Sequence, residues 1–414
     1  MLLDGLLTLL RRLVALLVVG AASAQAAEPV VESGDDLVVM LVTFSPGDDV
    51  TSWFGHSALV VENRKTRDAR LYNYGEFSFD DTLLVRYALG RLEFWVGERP
   101  VEQTLELYRR QRRSIGIQEL ALTPSQRLET AAFLRNNALP EHRGYLYDHF
   151  TDNCATRPRD VIDLVTGGRL RAAAAGPGRL SLREHTRRHT ARNPVLAVLI
   201  DFVMNSDVDR PLTRWEEAFL PAELAALVAD ADDGDGHGLV ARAFTDFQAP
   251  ERAAPPAQAP RSWPGMLGIG TGVAVVAWRV RRTRRLLGAL SALVGFVVGV
   301  PGLVLLIMWT CTDHLVAHDN ENVLLANPLT LMGLPLGVAW ALGSQRAGRG
   351  LRVLWPLVAL LALGGLALKA LPGFDQDNWN ILALVVPAVV ALGVAVRRGP
   401  VDPAAGGRRD AARD

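Results

Sequence analysis

Cys154, in "YLYDHFTDNCATRPRD", is the one cysteine ahead of the apolar C-terminal half of this 414-residue chain; the other, Cys311, lies within that half. A thiol reacts as its thiolate, and a place at a helix N-terminus beside positive charge lowers its pKa below the ordinary ~8.5. The "DNC" turn runs into a helical pattern, "ATRPRDVIDLV", so Cys154 sits at or just before a helix start, with Arg157 as a nearby cation. Its neighbours Asp152, Asn153, Thr156 and Arg157 are polar, which argues against the alternative of an ordinary buried cysteine. A nucleophilic thiol needs a base, most often an imidazole. His56 heads the strand-like "HSALVVEN" directly after Gly55, where a ring is held by rigid backbone. His149 is five residues from the thiol but reads as a surface residue. His185 and His189 have metal-pair spacing, yet Glu184 precedes the first of them, so the metalloprotease arrangement is absent and a solvated helix face is expected. The acidic "DADDGDG" (230–236) lacks the register of a calcium loop. Neither a cofactor nor a metal is expected.

The elements that would position these side chains change period along the chain. Residues 36–44, 56–63, 69–77 and 91–98 are β-branched and aromatic runs separated by turn residues, the mark of strands. "TPSQRLETAAFLRNNALP" (123–140) opens with a capping box, Thr123 with Gln126, and carries Pro124 at its first helical position. Strands early and helices around the thiol predict a compact α+β domain over 27–248. "APERAAPPAQAPRS" then reads as a Pro/Ala-rich linker over 249–262, poor in groups that pack.

Both ends of the chain bear on location. Arg11 and Arg12 precede an apolar run, and "ASAQA" offers a cleavage site, so 1–26 reads as a signal peptide. Five apolar segments, about 263–278, 286–308, 323–341, 353–370 and 380–396, fill a region 263–396 that reads as an all-α transmembrane domain. Five arginines lie in 279–285, Arg346, Arg349 and Arg352 in the next alternate connection, and Arg397 and Arg398 begin the tail 397–414. Residues 311–322 and 374–380 contain no lysine or arginine. The positive-inside rule puts the arginine connections and the tail in the cytoplasm and the α+β domain outside. The formal net charge of zero, with no phosphate-binding or dinucleotide motif, gives no ground for nucleic-acid binding. Two cysteines exclude a disulfide framework, although a Cys154–Cys311 bridge is formally possible.

"WFGHSALVVEN", "LYNYGEF" and "YLYDHFTDNCATRPRDVID" together resemble the DUF4105 family, whose exported part is the Lnb N-terminal periplasmic domain. Members are related to bacterial lipoprotein N-acyltransferases and, more distantly, to permuted NlpC/P60 and lecithin–retinol acyltransferase-like thiol enzymes. The resemblance implies a permuted papain-like fold in which His56 serves Cys154. Ser57, Asn73, Tyr74 and Asn153 stand where orienting or oxyanion support is expected. It extends to "CTDHLVAHDNENVLLANPLTLM", where Asp313, His314, Asn320, Asn322, Asn327 and Pro328 match an outward-facing segment that is either part of the site or a hydrated connector. The implied activity is movement of a fatty acyl group from a phospholipid or lipoprotein diacylglyceryl ester, through a Cys154 thioester, to an amine. A cell-wall cysteine peptidase or amidase, or a non-enzymatic membrane scaffold or export component, are the alternatives. The expected setting is the bacterial inner membrane, with phospholipid and lipoprotein as partners.

Overall fold

The first strand shows why the exported part forms a two-faced sheet. In Leu37–Phe44, Leu37, Val39 and Leu41 are buried in one core and Val42 and Phe44 in another, so successive side chains serve opposite faces. The computed structural model describes residues 33–399 apart from 79, 233–235 and 250–251. The signal peptide 1–26 and the tail beyond 399 lie outside the described residues.

Seven strands, β1 Leu37–Phe44, β2 His56–Asn63, β3 Asp68–Glu76, β4 Glu93–Pro100, β5 Ile115–Leu120, β6 Gly144–Leu146 and β7 Val240–Phe247, form one sheet in the order β6-β4-β3-β2-β1-β5-β7. Every neighbouring pair is antiparallel. The four expected strands are present within about two residues; β5, β6 and β7 are additions. The helices of seven or more residues are α1 Leu83–Leu89, α2 Val101–Arg110, α3 Pro124–Asn137, α4 Thr156–Val165, α5 Leu182–Thr190, α6 Pro194–Val203 and α7 Pro221–Asp230. The capping box at Thr123 forms as expected, with Gln126 returning a bond to the Thr123 backbone. One face of the sheet packs Leu41 and Leu59 with Leu134 of α3, Ile162 of α4 and Leu224 of α7. The other packs Phe44 and Val60 with Leu105 and Tyr108 of α2. This is an antiparallel sheet clothed by helices on both faces.

The apolar half is helical: α8 Trp263–Val280, α9 Arg284–Cys311, α10 Gly333–Ala341, α11 Gln345–Leu368 and α12 Trp379–Arg397. Four stretches are long and apolar enough to cross a membrane: α9, residues 322–341 ending in α10, α11 and α12. The helix α8 packs on the same bundle through Ala277, but its glycines, Thr271 and Arg279 dilute its hydropathy. Of the five expected spans, four therefore stand on length and composition.

Polar groups join the two parts. Phe202, at the end of α6, is buried in the bundle's core. Its carbonyl accepts bonds from Asn320 Nδ2 (3.3 Å) and Asn322 Nδ2 (2.8 Å), and Gln376 Nε2 reaches the Met204 carbonyl at 2.8 Å. The fully buried Arg183 of α5 pairs with Asp201 (3.0 Å) and Asp209 (2.5 Å), while Arg187 bridges Asp201 to Asp377 beside α12. The linker is laid along the domain: Arg252 grips both oxygens of Asp48 at 2.9 Å, and Arg188 donates to the Pro256 carbonyl at 2.7 Å.

Candidate active site

Gly55 adopts φ +87°, a conformation that a side chain would strain, and it turns the chain into β2 so that His56 is its first residue, paired with Phe44. His56 is thus at the end of a central strand rather than at a sheet edge. On β3, Asn73 Oδ1 lies 2.7 Å from His56 Nε2. With that oxygen accepting, Nε2 carries the ring proton and Nδ1 keeps the free lone pair of a base. Gly75 leaves room for the ring, because a Cβ there would stand 2.9 Å from His56 Cε1. Phe44 and Tyr108 stack at 3.6 Å between centroids, and the His56 ring lies near-parallel to both at 6.1 Å.

Cys154 enters from the turn before α4. Asn153 Oδ1 accepts from the Ala155 and Thr156 N–H groups at 2.7 and 3.0 Å, and its Nδ2 donates to the carbonyls of His149 and Phe219. Asn153 and Thr156 are therefore buried turn-formers, which corrects the reading of these flanks as exposed chain. The Ser57 N–H hydrogen-bonds to the Cys154 sulfur, so the thiol meets the backbone directly after His56. Asn153 thus serves as a positioning residue and Ser57 supplies a donor from its main chain.

Burial pushes the Cys154 thiol up to about 11, against the opposing pull of the Ser57 N–H, Arg113 and its own N–H. Burial, with help from Arg113, brings His56 down to about 4, although the Asn73 bond pulls the other way. Both groups are therefore neutral at rest, the thiol and the imidazole alike. This corrects the expectation of a thiol acidified by its helix start: the turn ends two residues before α4, and Arg157 is committed to Asp152 (2.5 Å) and to the Tyr145 ring (4.1 Å). The cation that does act on both groups is Arg113, which the sequence reading missed within an arginine-rich run. It is buried, donates from Nε to the Ser45 carbonyl at 2.6 Å, and lies over Tyr108 at 4.6 Å. Its Nη2 is buried without a hydrogen-bond partner among the described residues.

The other expected site residues are placed elsewhere. Tyr74 donates to Asn137 at 2.8 Å and ties β3 to α3 rather than orienting His56. Asp313 pairs with Arg91 at 2.6 Å, and His314 Nε2 lies 2.8 Å from the Tyr87 carbonyl, so this part of the loop docks on α1. Asn320 and Asn322 are buried in the domain joint, and Asn327 caps the turn that begins at Pro328. No described hydrogen bond links any of the five to Cys154 or His56. His185 and His189 are buried, not a solvated face: His185 Nε2 meets Glu217 at 2.7 Å, and His189 Nδ1 meets the Trp53 carbonyl at 2.9 Å. His149 is likewise enclosed, by Phe54, Phe150 and Phe219. Cys154 and Cys311 are both free, so the formally possible bridge is not formed. Among the described residues no group of three or more His, Cys, Asp or Glu could hold a metal ion.

Residues 33–189 match the family model of the Lnb N-terminal periplasmic domain, and residues 265–367 match that of the Lnb transmembrane domain. No curated protein and no solved structure matches the chain.

Proposed function

From the premise that this chain belongs to the Lnb family and is a membrane protein with a periplasmic domain, we propose that it is a cysteine acyltransferase of the bacterial inner membrane. The reading rests on one observation: the Ser57 N–H, the main-chain donor directly after the Asn73-bound His56, bonds to the Cys154 sulfur in a domain that is docked on apolar helices. The helix α8 is read as a fifth span, and the exported domain as a permuted papain-like fold.

The donor is a phospholipid or a lipoprotein diacylglyceryl ester, whose chains stay in the bilayer. This avoids transferring them to water at ~0.8 kcal/mol per CH₂. His56 Nδ1 takes the Cys154 proton as sulfur attacks the ester carbonyl, so that no free thiolate accumulates beforehand. The carbonyl oxygen becomes an oxyanion that the Cys154 and Ser57 N–H groups and the unpartnered Arg113 Nη2 are suited to receive. The C–O bond breaks, the alcohol leaves with the proton from His56, and a thioester remains. An amine, such as a lipoprotein N-terminus, then attacks the thioester; the amide forms, and sulfur recovers a proton.

Incubation of purified protein with phospholipid and no amine should add one acyl mass in an intact-mass measurement, and Cys154→Ser should show no such thioester. Full lipid turnover by Cys154→Ser would refute the mechanism.

A further inference from the structure

Where the linker and α5 meet the ends of α8, α11 and α12 there is a cavity of about 680 Å³, within the ~300–1,000 Å³ usual for small-molecule sites. Its lower wall is apolar: Leu267 of α8, Leu366 of α11, and Val386 and Pro387 of α12. Its upper rim carries charge, with Glu184 and Arg187 from α5, Arg261 from the linker, and Asp377. Trp263 and Trp379, the first residues of α8 and α12, also line it and are exposed. Tryptophan is enriched where helices pass from hydrocarbon to headgroups. Arg187 is consumed by Asp201 and Asp377, whereas Arg261 makes no hydrogen bond or ion pair among the described residues. Neither Cys154 nor His56 lines the cavity.

We propose that this cavity is a binding site for one anionic phospholipid from the leaflet facing the exported domain, its acyl chain on the Leu267–Leu366–Val386 wall and its phosphate on Arg261. Leu267 and Leu366 of the apolar wall are exposed, as are other large apolar side chains of α8 and α11 such as Val275 and Leu363, which selects a membrane lipid over a water-soluble anion. The unpartnered guanidinium matches the phosphodiester, which it can hold by charge-assisted bonds. The roof of the cavity is the Arg187–Asp377 pair of the domain joint, so a bound lipid excludes water from that pair and strengthens it. This lipid is a structural ligand of the joint, separate from any acyl donor at the thiol.

The test uses full-length protein in the Cys154→Ser background, so that loss of acyl transfer and loss of this site are scored apart. After purification in a mild neutral detergent and addition of phosphatidylglycerol or phosphatidylcholine, native mass spectrometry should find one retained phospholipid per chain, with phosphatidylglycerol favoured. Arg261→Gln, an exposed substitution, should lower phosphatidylglycerol retention about fivefold, the equivalent of the ~1 kcal/mol that one arginine contributes toward anionic lipid at a membrane surface. Val386→Trp, which fills the wall, should abolish retention of both lipids. Detergent alone in the wild-type site, or equal retention by wild type and Arg261→Gln, would overturn the proposal.

Discussion

With burial holding the Cys154 thiol up at about 11 and the His56 imidazole down at about 4, the proposed mechanism requires a resting state in which both are neutral. At pH 7 such a thiol is ionised to the order of 10⁻⁴, whereas a free cysteine of pKa ~8.5 is ionised to ~3%. Iodoacetamide should therefore alkylate Cys154 on the order of 10²-fold more slowly than free cysteine at that pH, with a rate that climbs about tenfold per pH unit up to about pH 9. Because the imidazole is neutral at rest, His56→Ala should leave this alkylation rate nearly unchanged. The same substitution should cut acyl transfer ~10²–10⁴-fold, since the base acts only while the S–C bond forms. A lowered imidazole pKa also means that the base stays competent until the pH falls toward 4, so turnover should hold level through about pH 6 and decline below about pH 5. Stopped-flow alkylation and a pH–rate profile on the same preparations check both halves. Rapid alkylation that levels off near about pH 6, and that His56→Ala abolishes, would show a pre-formed thiolate–imidazolium pair and refute the reasoning.

Asn73→Leu should lower acyl transfer about tenfold, the scale of one ~1–1.5 kcal/mol hydrogen bond; Asn73→Asp, which still accepts from Nε2, should restore the rate and move its acid limb to higher pH. Burial holds His149 and His189, like His56, at about 4. Between pH ~6.5 and about 4 the unfolded chain binds protons that the folded chain refuses, so stability should fall with pH through that window. His149→Phe should flatten the slope by about one proton, ~1.4 kcal/mol per pH unit, in thermal melts between about pH 5 and 6. Arg183→Gln removes one of the two arginines on the buried Asp201 and the arginine on Asp209 and should cost about 1–3 kcal/mol, seen as a lower Tm and faster proteolysis within 249–262. Reporter fusions after Gln248 and Asp414 should lie on opposite sides of the membrane; the same side for both would remove the fifth span.

What could be read from the chain alone divides along physical lines. The strands β1 to β4, the capped α3 and the apolar helices were legible because local patterning decides them: alternation, a capping box and runs of apolar residues. The approach of the Cys154 turn to the start of β2, where the Ser57 N–H reaches the sulfur, had no local mark, since the two segments lie about a hundred positions apart; the resemblance alone set His56 beside Cys154. β5 and β7 were missed because an edge pairing between residues more than a hundred positions apart leaves little local mark, and β7 is exposed along most of its length. The buried histidines were misread because "REHTRRHT" is polar in composition; its burial depends on Glu217, Trp53 and Phe54, which arrive from other elements. Asn320 and Asn322 were singled out correctly as unusual, yet their amides are spent on the Phe202 carbonyl. Arg113 gave no signal at all, because nothing in "YRRQRRS" distinguishes the one arginine that turns inward.

The clasp of Asn320, Asn322 and Gln376 on the end of α6 denies the exported domain the freedom of a tethered ball. Its thiol keeps one height and one heading relative to the helices. An encounter with a lipid-borne molecule then becomes a search over a plane rather than through a volume. Its frequency follows how densely that molecule populates the leaflet and how fast it drifts there, not its amount per litre of periplasm. Doubling the membrane area at a fixed number of lipid-borne molecules would halve the encounter rate, while diluting the surrounding fluid would leave it unchanged.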